Sequence, residues 1–198
     1  SRWPGPLPRS PAKDRWCRSQ AAGIPLPRST MPRGYGIDDD EWSGDDEMYA
    51  KIHEMRSRII TTPSFANGKV IGAILFERTM DGQVEGKPTP HALMARGIVP
   101  FIKIDKGLED EADGVQLMKP MPELDALLER ARGLGVFGTK ERSVINQANP
   151  AGIAAIVAQQ FEVGRQVISH GLVPMLEPEY TITAEGRADG ETILKAEI

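Results

Sequence analysis

Phe137-Gly138-Thr139-Lys140-Glu141-Arg142 sets two cations, Lys140 and Arg142, at i,i+2 spacing inside an apolar, strand-like run. A strand turns residues i and i+2 to the same face, so both charges belong to one side of a sheet. Stepping back 37 positions from Lys140 reaches Lys103, whose i+2 neighbour is Asp105, again within an apolar run. Stepping forward 37 positions reaches Glu177, whose i+2 neighbour is Glu179. A strand-plus-helix repeat of this length is the period of a β/α barrel. Ionisable groups are costly to bury unless they pair with each other or with a charged ligand. The pattern therefore predicts a barrel whose strand ends gather lysine, arginine and glutamate around an anionic substrate.

The segments between these pairs read as the remaining parts of β/α units. Order is expected to begin near Tyr35, with an acidic run from Asp38 to Glu47 leading a helix over about Asp46–Arg58. That run lacks the spacing and the distant glutamate of an EF-hand, so it reads as a solvated, helix-capping segment. Pro63 and Asn67-Gly68 punctuate the chain before a strand over Val70–Phe76. A polar loop over Glu77–Pro90, a short helix near His91–Arg96 and a second strand over Ile98–Asp105 follow. Leu124, Leu127, Leu128 and Ala131 give helical periodicity to a segment read as Met118–Gly133, with Pro120 and Pro122 at its start. A third strand over Val136–Arg142 precedes a long helix, Pro150–His170, stopped by Gly171. The fourth strand is Leu172–Glu177, and Glu191–Ile198 reads as the opening turns of another helix. Strands alternating with helices imply parallel β/α units. A complete barrel needs about 250 residues, so 198 residues ending on an opening helix are expected to be a chain cut short.

Composition divides the sequence in two. Forty per cent apolar and 26 per cent charged residues describe a globular protein, and no run approaches the ~18 apolar residues of a membrane span. The single cysteine, Cys17, has no internal disulfide partner, and the first residues lack the apolar core of a signal peptide, which favours the cytoplasm. Net charge is −4, but residues 1–33 carry seven basic side chains and one acidic, with seven of the 16 prolines. Proline at that density opposes both helix and strand. A basic arm for nucleic acid would show aromatic interleaving beyond Trp3 and Trp16, so residues 1–33 are read as disordered or non-native and 34–198 as the partial barrel.

The chemistry-bearing candidates follow from the three pairs. Glu177 and Glu179 face one way at a strand's C-terminal end, where barrel enzymes place catalytic groups. Two neighbouring carboxylates raise at least one pKa, which suits general acid/base work, although a structural ion-pair network has the same appearance. Lys140 and Arg142 suit an anion, arginine through bidentate donors and lysine as a point charge. Lys103, Asp105 and Lys106 fit either role. His53, His91 and His170 are far apart in sequence and from Cys17, so no metal-ligand spacing exists. No glycine-rich phosphate loop, dinucleotide fingerprint or nucleophile elbow is present. No cofactor is expected.

Longer motifs carry a resemblance. Val70–Glu77 (VIGAILFE), Phe101–Gly107 (FIKIDKG), Phe137–Arg142 (FGTKER) and Gly171–Glu179 (GLVPMLEPE) resemble class I fructose-bisphosphate aldolase. Gly114–Pro120 (GVQLMKP) and Gln159–Val163 (QQFEV) are similar to its short bacterial form. The resemblance runs from about Gly34 to the last residue, with the motifs in the family's order. It implies a partial (β/α)8 TIM barrel holding about strands two to five, and a metal-independent, glycolytic lyase. The reaction implied is reversible cleavage of fructose 1,6-bisphosphate to dihydroxyacetone phosphate and glyceraldehyde 3-phosphate through a lysine Schiff base. By the same resemblance Glu177 transfers protons during imine formation and hydrolysis, and Glu179 supports it electrostatically. Lys103, Lys140 and Arg142 hold down the imine lysine's pKa and contact substrate hydroxyl or phosphate.

Two family features are missing from the 198 residues. The Schiff-base lysine belongs to the strand after the one ending at Glu177, and the catalytic aspartate of the first strand belongs to an Ala-Leu-Asp-Gln-Ser-Gly-Gly-like segment. Neither is present, and the fragment alone is expected to be inactive. The switch from Pro/Arg-rich text to family sequence at Gly34 suggests a frame shift or misjoined gene upstream. The alternative reading is a non-catalytic half-barrel that binds sugar phosphates or pairs with another chain. Sugar phosphates are the partners expected on either reading, with no nucleic acid and no membrane.

Overall fold

The computed structural model describes the backbone of Gly23–Pro25, Asp38 and residues 42–198. Helix α1 (Asp45–Thr61) opens on three acids, Asp45, Asp46 and Glu47, which suit the positive end of its dipole. A 3-10 turn, Pro63–Ala66, leads to strand β2 (Gly72–Leu75). Strands β5 (Val99–Lys103), β7 (Gly138–Ile145) and β8 (Val173–Tyr180) continue the sheet in parallel, β2 on β5, β5 on β7 and β7 on β8. This order of parallel strands is that of successive β/α units, and among the described residues the sheet does not close into a barrel.

Each strand has one face toward helices and one face open. On the helix side Ala73, Leu75, Ile102, Ile104, Thr139, Glu141, Ser143 and Ile145 are all buried. They meet helix α4 (Leu124–Gly133), which supplies Leu124, Leu127, Leu128 and Ala131, and helix α5 (Pro150–Ser169), which supplies Ile153, Ile156, Val157, Gln160 and Val167. Helix α6 (Arg187–Glu197) closes a smaller core around Ile145, Ile156 and Tyr180. The opposite face holds Phe101, Lys103, Lys140, Arg142, Val173, Met175, Glu177 and Glu179, and Val173 and Met175 stay exposed. Period-2 alternation thus separates an apolar, helix-facing side from a charged, open side.

The structure revises several boundaries. Glu77–Pro90 is not one polar loop: a short helix α2 (Glu77–Met80) is followed by the hairpin β3 (Gln83–Val84) and β4 (Lys87–Pro88). Its two linking residues, Glu85 and Gly86, both have positive φ, as the tight turn matching strand twist requires. Helix α3 (Thr89–Met94) leads into β5. The helix expected from Met118 begins only at Leu124, because Pro120 and Pro122 hold Lys119 and Met121 away from helical backbone. Ahead of that segment a short strand, β6 (Val115–Gln116), pairs antiparallel with Val144 and Ile145. The strands after Val136 and Leu172 run on to Ile145 and Tyr180, and α6 starts four residues earlier than its expected first turn.

One short strand falls in the proline-rich segment. Gly23–Pro25 forms strand β1, parallel to β2, with Gly23 opposite Gly72 and Pro25 opposite Ile74. A proline is tolerated at a sheet edge, where its missing N–H leaves no ladder gap. The rest of the 1–33 segment, and the start of order expected at Tyr35, lie outside the described residues.

Candidate active site

The charged pairs do converge. In the β7–β8 register Lys140 stands opposite Met175, Arg142 opposite Glu177, and Val144 opposite Glu179. Each cation therefore reaches diagonally to the next carboxylate along β8. Lys140 Nζ pairs with Glu177, and Arg142 Nη1 donates to Glu179 Oε2 at 3.0 Å. Lys103 lies opposite Lys140 across β5 and β7. Its ammonium is held by Asp105 Oδ1 and by the Asp105 carbonyl at 3.3 Å, so two neighbouring lysines have separate carboxylate partners. The Asp105 side chain is only 4% exposed and the Lys140 side chain 12%, against about 30% for Arg142, Glu177 and Glu179.

This is a row of cation–carboxylate pairs across three adjacent parallel strands, on the face that no helix covers among the described residues. Glu177 and Glu179 are placed to exchange protons with a bound group, and Lys140 and Arg142 to receive oxygen anions by exchanging their carboxylate partners for a ligand. Lys106, also a candidate, points elsewhere: with Arg130 of α4 it pairs to Glu77, at 2.5 Å for Lys106, and Arg130 Nε also meets Asp81 at 3.1 Å. Hydrogen bonding from Lys106, then Arg130, holds the Glu77 carboxyl below its usual range against a partial desolvation penalty. That cluster ties α2 to α4 and stands apart from the β7–β8 pairs. His53 Nε2 meets the Gln83 carbonyl at 2.8 Å and His170 Nε2 meets Asp125 at 2.8 Å, both contacts outside the charged face. Among the described residues no group of three or more His, Cys, Asp or Glu side chains is placed to hold a metal ion, and no helix is long and apolar enough to cross a membrane.

The residue that sequence reasoning passed over is Glu141. It lies between Lys140 and Arg142, so alternation forces it to the helix side, where it is fully buried. Neither carboxyl oxygen has a hydrogen-bond partner among the described residues. Burial first, and the negative charge of Asp105 second, push its pKa up to about 8. The signal was legible: a charge flanked by two site-facing charges on one strand must face the core. On the same layer Gln160 Nε2 donates to Ser143 Oγ at 3.0 Å, while Thr139 Oγ1 and Gln160 Oε1 are unsatisfied.

Comparison with known proteins adds to this geometry. Residues 46–195 match the profile of the family described as glycolytic, fructose-bisphosphate aldolase class-I. A protein of Porphyromonas gingivalis named fructose-bisphosphate aldolase class 1 is 58% identical over 167 residues, covering 84% of this chain. The chain spans 57% of that relative's length. Among solved structures, fructose-bisphosphate aldolase from Plasmodium falciparum, in a ternary complex with TRAP and a small-molecule inhibitor, superposes with a TM-score of 0.57 at 25% identity. That superposition covers 65% of this chain and 40% of the other.

Proposed function

Because the chain belongs to the class I fructose-bisphosphate aldolase family, we propose that it forms the Glu177/Lys140 side of a Schiff-base aldolase site acting on phosphorylated sugars. The reaction is reversible cleavage of fructose 1,6-bisphosphate to dihydroxyacetone phosphate and glyceraldehyde 3-phosphate, a step of glycolysis in the cytoplasm. A lysine amine adds to the ketone carbonyl, water leaves, and the imine takes up the electron pair released as the C3–C4 bond breaks. The observation that supports this reading most is the diagonal pairing of Lys140 with Glu177 and Arg142 with Glu179 on the open face of adjacent parallel strands.

In this reading Glu177 shuttles the proton of carbinolamine formation and dehydration, and it pairs with Lys140 until substrate arrives. Glu179 holds Arg142 in place, and Arg142 and Lys140 turn to substrate oxygens. Lys103, paired with Asp105, stands opposite Lys140 and offers a further cation to substrate oxygens. Lys103 and Lys140 are electrostatic groups here, so the 198-residue polypeptide is expected to bind sugar phosphate without turning it over. Borohydride reduction with dihydroxyacetone phosphate, followed by mass spectrometry, should show no adduct. A stoichiometric adduct on either lysine would overturn the assignment of roles.

A further inference from the structure

Helices α1 and α2 enclose a basic cleft that the candidate active site does not use. Its volume is about 240 Å3, and His53, Arg56, Arg78 and Thr79 are among the side chains that line it. Pockets for drug-sized ligands begin near ~300 Å3, so the occupant of this one is small. None of its lining residues belongs to the charged pairs of β5, β7 and β8. We propose that the cleft is a binding site for a phosphoryl group, either inorganic phosphate or the phosphoryl end of a small ester, separate from the candidate active site.

Two guanidiniums meet this cleft from different helices. Arg56 of α1 is only 4% exposed. Its Nη1 donates to Thr79 Oγ1 at 2.5 Å and its guanidinium lies over the Phe76 ring, 4.9 Å from the centroid, so two neighbours fix its direction. Arg78 of α2 lies over the Tyr49 ring, 3.8 Å from the centroid. Asp46, the one acid among the described lining residues, reaches Arg78 at 3.9 Å from a fully exposed position. An exposed pair of that kind is worth little, so an incoming anion turns Asp46 out to solvent at small cost. The His53 ring lines the same cleft. Its Nε2 is held by the Gln83 carbonyl, while Nδ1 is shielded from solvent with no hydrogen-bond partner among the described residues. Such an atom marks a wall group that lacks its partner. Like charges gathered around one small space repel, and an oxyanion that accepts from both guanidiniums relieves the repulsion. Donors carried by two separate helices suit a tetrahedral phosphoryl group, with three terminal oxygens, better than a planar carboxylate with two.

The test titrates inorganic phosphate into the 198-residue chain at constant ionic strength set with sodium chloride, with amide exchange read by mass spectrometry. Exchange across 45–61 and 77–80 should slow and saturate. In Arg78→Gln the half-saturating phosphate concentration should rise about tenfold or more, the share of one charge-assisted hydrogen bond. Arg78 is 61% exposed, so its replacement should leave exchange in β5 and β7 unchanged without phosphate. Arg142→Gln, which weakens the open-face site, should keep the effect, so failure of the aldolase reading does not touch this outcome. Methyl phosphate separates the two sources. Equal slowing shows that an ester's phosphoryl end enters the cleft, and slowing by inorganic phosphate alone shows a site for the free ion. No saturable slowing in the unaltered chain would overturn the proposal, as would an unchanged phosphate response in Arg78→Gln or its loss in Arg142→Gln.

Discussion

At the scale of single residues, Glu141 and Glu177 show how one functional group takes two characters on neighbouring strands. Glu177, on the open face, is ion-paired to Lys140; Glu141, one strand over and facing helices, has no hydrogen-bond partner among the described residues. The consequence for Glu141 is a pH-dependent stability with a definite sign. Its carboxyl binds a proton in the folded chain up to about pH 8 and releases it near 4.5 when unfolded. Between those values the folded state holds the extra proton, so stability is full below the unfolded value, falls as pH rises toward 8, and levels off above it. The loss is on the order of a few kcal/mol. Chemical denaturation across that window should show the slope in the unaltered chain and a flatter one in Glu141→Gln. For catalysis, Glu177→Gln in a chain extended through the family's later strands should lower turnover by about 10²–10⁴-fold, far more than Glu179→Asp. Near-normal turnover in steady-state assays would move proton transfer to another group.

At the scale of elements, β7 and β8 approach so closely that only glycine fits at one point. A Cβ on Gly138 would lie 2.2 Å from the Val173 carbonyl oxygen and 3.0 Å from the Phe101 ring. Gly138→Ala should therefore pry the pair apart and cost about 1–3 kcal/mol, seen as a lower denaturation midpoint and a weaker Lys140–Glu177 contact. Helix α5 is held at its start by Asn149, whose side chain accepts from the backbone N–H of Ala151 at 3.0 Å and Gly152 at 3.3 Å. Asn149→Ala should cost about 1 kcal/mol by the same measurement. The outer edge of β8 is blunted by its own sequence. Val173 and Thr181 donate their N–H groups to β7, so the even-numbered residues between them turn outward. Two of these, Pro174 and Pro178, have no N–H to offer. Amide exchange should be slow at Met175, Glu177 and Glu179 and fast at Leu176 and Tyr180 in the 198-residue chain.

At the scale of the molecule, the described residues cover the sheet on one side only. The helix face buries a continuous apolar core, whereas the open face presents Met175 at 40% and Val173 at 47% exposure beside the charged pairs. A closed barrel would fill that side with side chains from the opposite strands. Peroxide should therefore oxidise Met175 much faster than the buried Met80 and Met118, read by mass spectrometry. A polypeptide extended by the family's later strands should protect Met175 and leave the other two unchanged. Persistent rapid oxidation of Met175 in that longer chain would mean that its open face stays uncovered.

The parallel β/α order, the strand identities and the convergence of Lys140, Arg142, Glu177 and Glu179 were legible in the sequence, because side-chain alternation and a constant interval depend only on local backbone geometry. Even the burial of Glu141 follows from its place between two site-facing charges. Tertiary structure decided which charges pair. Register fixed that Lys140 meets Glu177 and Arg142 meets Glu179 while Lys103 keeps Asp105, and no local pattern encodes the offset of one strand against the next. The Glu85-Gly86 hairpin, β6 and the three-residue strand at Gly23–Pro25 were hidden for a related reason. Segments that short carry too few residues for periodicity, and they exist because a neighbouring strand offers them hydrogen bonds.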